Sequence, residues 1–108
     1  MLKFNTMTRD EIIAKLKETA PALRAEGVTR LAIFGSRARG DAREDSDLDV
    51  LIDIDPAANL HGLALIGTIG DVRRAIEAAT GIPTQAEMGR WIEPRFAERI
   101  ADDLIEIF

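Results

Sequence analysis

Apolar positions along this chain follow a helical rhythm in some stretches and strict alternation in others. Ile13, Leu16, Ala20 and Leu23 recur at helical spacing and predict a helix from about Arg9 to Ala25. Thr8 followed by Glu11 is a capping-box signature at its start, Asp10 suits the first turn, and Gly27 falls just after its end. Pro21 lies inside this window, where a proline kinks or shortens a helix. Val28 to Phe34 reads as a strand running into Gly35-Ser36, and Leu48 to Ile54 as a second. In the second, Leu48, Val50, Ile52 and Ile54 alternate with Asp47, Asp49, Asp53 and Asp55, so apolar side chains take one face and carboxylates the other. Leu51 is the exception on the polar face. A second helix is expected from about Leu60 to Ala79, with Ile66, Ile69, Val72, Ile76 and Ala79 as its stripe and Gly81 closing it. Pro83 to Met88 is a short strand, Pro94 opens a last helix through Arg95, Ala97 and Ile100, and Leu104 to Phe108 packs as further helix or an edge strand. The order α-β-β-α-β-α implies an α/β (α+β) fold, a small mixed sheet flanked by helices.

Length and composition narrow the reading. The 108 residues fit one domain, 1–108, and 46% of them are apolar, enough for a core without staples. The absence of cysteine excludes disulfides, thiolate metal sites and cysteine nucleophiles. Met1 to Asn5 lacks the apolar run of a signal peptide, and the apolar stretch Leu60 to Ile69 is too short to span a bilayer, so a cytoplasmic location is expected. The formal charge of -5 argues against gripping duplex nucleic acid by its phosphates, and suits a basic partner or an anionic substrate carried by a metal ion.

Two short segments carry candidate chemistry. Alternate strand residues lie roughly 6–7 Å apart and point the same way, so Asp47 and Asp49 can share metal ions. Hard oxygen ligands of this kind suit Mg²⁺ held together with substrate phosphates. A solvated polar face would give the same alternation, so an isolated Asp-x-Asp means little. Gly35-Ser36-Arg37-Ala38-Arg39-Gly40 begins with a glycine directly after a strand, where backbone amides can cradle phosphate oxygens, helped by a helix N-terminus if Ser36 caps a short turn. An ordinary strand-to-helix turn uses the same residues.

Together the two are far more specific. Ten residues separate Ser36 from Asp47 in G-S-R-A-R-G-D-A-R-E-D-S-D-L-D-V-L-I. This resembles the signature of the polymerase-β-type nucleotidyltransferase superfamily and, through Ala38-Arg39-Gly40 and Ser46-Asp47-Leu48-Asp49, its minimal nucleotidyltransferase (MNT) family. The resemblance implies that Gly35 and Ser36 bind the terminal phosphates of a nucleotide and that Asp47 and Asp49 are the metal ligands. Arg37 and Arg39 would reach phosphates or a partner, with a solvated loop as the alternative, and Arg43 is expected in solvent. It further implies Mg²⁺, ATP as substrate, and a helical HEPN-domain toxin as partner in a hetero-oligomer. The MNT protein would act as antitoxin by transferring AMP to a tyrosine of that toxin.

The third carboxylate of the superfamily departs from this pattern. It should come from the strand Thr84 to Met88, where counting back from Pro94 reaches Gln85, which cannot act as a base. Glu87, two residues on and on the same face, could serve as the catalytic acid–base group, or the count could be off by two. If neither serves, the protein would bind nucleotide and neutralise its partner by binding alone. A small-molecule nucleotidyltransferase is disfavoured, since those carry an added substrate domain. His61, Asp53 and Asp55 are expected to be solvated, and Trp91 and Phe96 to lie in the core or face a partner.

Overall fold

The computed structural model describes residues 7–108, so Met1 to Asn5 lies outside the described residues. Helix α1 spans Arg9–Ala25 and begins with the full capping box: the Thr8 side chain accepts from the Glu11 amide and the Glu11 carboxylate accepts from the Thr8 amide. The helix runs through Pro21 to its expected end. Strand β1 spans Val28–Phe34, a short helix α2 spans Gly35–Arg39, and strand β2 spans Leu48–Ile54. Helix α3 spans Gly62–Thr80 and ends on Gly81 in the left-handed conformation at φ 71°. Strand β3 spans Thr84–Met88, helix α4 Pro94–Ile100, and strand β4 Ile105–Glu106.

The sheet order is β3-β2-β1-β4, with β1 antiparallel to both β2 and β4 and β2 parallel to β3. The tail therefore resolves as an edge strand, beside β1. Leu31 and Ile33 of β1 share a face with Leu48, Val50, Ile52 and Ile54 of β2, and this face packs on Ile12, Leu16 and Leu23 of α1 and Leu65, Val72 and Ile76 of α3. Burying apolar surface at about 25 cal/mol per Å² makes this packing the main source of stability.

The other face is not simply polar. Leu51 is buried there with Ala32, Phe34 and Ile100, because α4 lies across it. Phe96 of α4 meets Phe34 edge to face, with ring centroids 5.7 Å apart. On α3, Ile66 is 61% exposed and Leu65 takes its place against the sheet, a correction to the expected stripe. The buried series runs Leu65, Val72, Ile76, Thr80. Leu60 to Ile69 is apolar on all sides, which gave the periodicity no polar face to measure against.

Candidate functional site

The site forms where β1 ends beside the start of β2. Because β1 and β2 are antiparallel, Phe34 is the register partner of Asp49, so the turn after Phe34 opens over the carboxylate pair. Gly35 has φ 75°, a left-handed value that costs a residue with a side chain roughly 1–2 kcal/mol. A β-carbon on Gly35 would also come 2.5 Å from Asp49 Oδ2. Glycine is favoured here by the turn, and a side chain would in addition displace the Asp49 carboxylate packed against it.

Ser36 lies within α2 rather than capping it. Phe34 holds the cap position, and no side chain caps the helix. The Ser36 carbonyl accepts from the Gly40 and Asp41 amides, at 3.0 and 3.1 Å, which closes the turn, while its hydroxyl has no hydrogen-bond partner among the described residues. Gly40 ends the helix at φ 85°. Arg9 of α1 donates to the Ala38 carbonyl at 3.2 Å and ties α2 down from behind.

Arg37 differs from expectation. It is buried, only 5% exposed, and donates to the Ser46 carbonyl at 2.8 Å and the Glu44 carbonyl at 3.2 Å. Its guanidinium holds the loop that delivers Asp47, so it cannot reach a phosphate or a partner. Nothing in the sequence marked it, since its partners are backbone carbonyls of the following loop. Ser46 adds a second tie by accepting from the Arg43 amide at 2.9 Å. Arg39 is exposed and donates to Asp41 at 3.1 Å and Asp103 at 2.9 Å, linking α2 to the segment before β4.

Asp47 is exposed and Asp49 half-buried. Burial, then the charges of Asp47 and Glu87, push the Asp49 carboxyl above the ordinary value of 3.8, and Arg39 pulls in the opposite direction. A divalent cation on the pair would offset the first three effects, and the hard oxygen donors fit Mg²⁺. Among the described residues no group of three or more His, Cys, Asp or Glu could hold a metal ion together. The parallel pairing explains this. Gln85 is the register partner of Asp49, whereas Glu87 pairs with Leu51. Gln85 therefore occupies the flank of Asp49, its Nε2 3.5 Å from Asp47 Oδ2. Glu87 lines a cleft shared with α4, near enough for its charge to act on Asp49.

The remaining candidates have structural duties. Asp53 lies 3.7 Å from Arg30, which also pairs with Glu106 on β4. Asp55 accepts from the Ala57 amide at 2.9 Å and caps a single turn at Pro56–Ala58. Asp55 is exposed, as expected, whereas Asp53 is half-buried because the neighbouring strand supplies Arg30 as a partner. His61 is exposed at the start of α3.

A turn with a left-handed glycine, set against two carboxylates on an adjacent strand, is an arrangement that can hold the phosphates of a nucleotide beside a metal ion. The chain belongs to the family of nucleotidyltransferase domains, whose model matches residues 10–106. It is 28% identical over 102 residues to the protein adenylyltransferase MntA of Thermococcus cleftensis, covering 94% of this chain and 97% of the relative. A solved candidate minimal nucleotidyltransferase superposes with a TM-score of 0.72 at 29% identity, covering 93% of this chain and 96% of that one. The fold also matches a chain in the complex of a tri-AMPylated Shewanella oneidensis HEPN toxin with its MNT antitoxin, with a TM-score of 0.58 at 11% identity over 89% of this chain and 71% of the other. Among the described residues no helix is long and apolar enough to cross a membrane.

Proposed function

We propose that residues 1–108 form one Mg²⁺-dependent protein adenylyltransferase domain that transfers AMP from ATP to a tyrosine of a HEPN-domain toxin and so acts as its antitoxin. The observation that carries this reading is the assembly of Gly35 and Ser36 against Asp47 and Asp49, in a chain matching an adenylyltransferase over nearly its whole length. Gly35 admits the terminal phosphates to the turn, and the Ser36 hydroxyl donates to them. Asp47 and Asp49 hold Mg²⁺, which when bound neutralises phosphate charge. The acceptor oxygen forms a bond to the α-phosphorus as the bond to pyrophosphate breaks. Glu87 takes the phenolic proton, since Gln85, beside Asp49, has no basic oxygen pair to receive it.

The test is incubation with Mg²⁺, labelled ATP and the product of the neighbouring gene, beside an Asp47→Ala/Asp49→Ala control. AMP-sized mass gains on the partner, absent in the control, support the proposal. A stable complex without transfer would instead favour an antitoxin acting by binding alone, the reading that Gln85 at the flank of Asp49 supports.

A further inference from the structure

A cleft of about 510 Å³ opens beyond Glu87, between the end of β3 and the outer side of α4. Its volume falls within the usual range of small-ligand sites. Trp91, Phe96 and Ile92 supply the apolar wall, and Glu87, Glu93, Arg95 and Arg99 the charges. Trp91 is 57% exposed, with the Arg90 guanidinium 5.9 Å from its ring centroid, which leaves much of the indole open to the cleft. The Arg99 guanidinium stacks over the Phe96 ring at 5.5 Å from its centroid.

The position of the cleft follows from strand order. Gly35 and Ser36 lie at the end of β1, on one side of β2, and β3 lies on the other. In phosphoryl and nucleotidyl transfer the attacking and leaving oxygens stand roughly in line across the phosphorus. With pyrophosphate leaving over the β1 turn, the acceptor must approach from the β3 side, where this cleft opens.

We infer that the cleft between β3 and α4 receives the acceptor's phenolic side chain, with Trp91 and Phe96 as its aromatic walls and Glu87 at its inner end. This rests on the proposed transfer to a protein hydroxyl and assigns the surface that receives it. Two carboxylates against two guanidiniums give the lining no net charge, which suits a neutral phenol over a phosphate or carboxylate ligand. Aromatic walls favour a ring by edge-to-face and stacked contact, and a serine or threonine acceptor would leave them unfilled. Arg95 and Arg99 remain to bind backbone carbonyls or acidic residues flanking the tyrosine.

Trp91 is the only tryptophan and the chain has no tyrosine, so indole emission reports on this cleft alone. The probes are a short tyrosine-centred peptide, its serine counterpart and adenosine, with emission excited at the red edge of the indole band, where phenol does not absorb. The expected result is a saturable change with the tyrosine peptide, a much weaker one with the serine peptide, and none with adenosine. In parallel, Trp91→Ala should lower kcat/KM for the acceptor protein about tenfold through KM, with the nucleotide dissociation constant unchanged. A response to adenosine but not to the tyrosine peptide would assign the cleft to the nucleobase and overturn the inference. So would an unaltered acceptor KM in Trp91→Ala. Tyrosine-selective binding in a protein that transfers AMP to no partner would support the cleft while refuting the proposed function.

Discussion

Gln85 stands beside Asp49 across the parallel pairing of β2 and β3, with its side-chain nitrogen 3.5 Å from Asp47 Oδ2. The amide makes one long contact, to Asp47 alone, and adds no negative oxygen for a cation. Gln85→Asp should place a third hard ligand at this flank. The expected outcome is Mg²⁺ affinity tighter by about tenfold, read by calorimetry on the protein alone, because affinity for hard cations follows the number of charged ligands. Unchanged affinity would mean that the Gln85 flank does not face the cation.

In the proposed reaction Glu87 receives the acceptor's proton in the α4 cleft. Glu87→Gln should lower kcat for transfer by roughly 100-fold while leaving Mg²⁺ affinity within experimental error, since general-base contributions are of that order. A loss of Mg²⁺ affinity instead would return Glu87 to the metal site.

Gly35→Ala carries two penalties: the left-handed backbone and the approach of its β-carbon to Asp49. The backbone alone costs about 1–2 kcal/mol, and each kcal/mol lowers Tm by about 4–8 °C in a domain near this size. Nucleotide binding should fall with it. Asp49→Ala in the Gly35→Ala background should recover part of the Tm, because it removes the oxygen that the methyl group meets. Additive losses in calorimetric melting would contradict that contact.

Asp49 sets a pH dependence of known sign. Its carboxyl in the folded metal-free protein is raised above 3.8, so the neutral acid is the form that folding favours. That contribution to stability is fully present below about 3.8 and is lost as pH rises through the raised folded value. Asp49→Asn should therefore melt at a higher temperature than the metal-free parent at neutral pH, and the difference should vanish in acid. Parallel melting curves with pH would show that burial and the charges of Asp47 and Glu87 do not act on Asp49 as described.

Much of this fold is legible in the residues. The ends of α1, β1 and β2 fall where the capping box, Gly27, Gly35 and the alternation of Leu48 to Ile54 put them. These are local signals, written within a few residues of what they determine. The surroundings of the site are less legible because they depend on distant partners. Leu51 breaks the polar alternation because α4 returns to cover it, and Arg39 finds Asp103 from 64 positions away. The register that sets Gln85 rather than Glu87 beside Asp49 arises from how β3 is laid against β2 after the whole of α3. The Gly-Ser turn and the aspartate pair could be read in advance, but the α4 cleft could not.

Arg37 grips the backbone of the loop before Asp47 through the carbonyls of Glu44 and Ser46 rather than through any side chain there. Every residue type presents the same carbonyl, so the grip is indifferent to what Arg43, Glu44 and Asp45 display outward. This outer stretch is therefore free to change its charge and character, and with it the surface offered to a partner, while the aspartate it delivers stays in place.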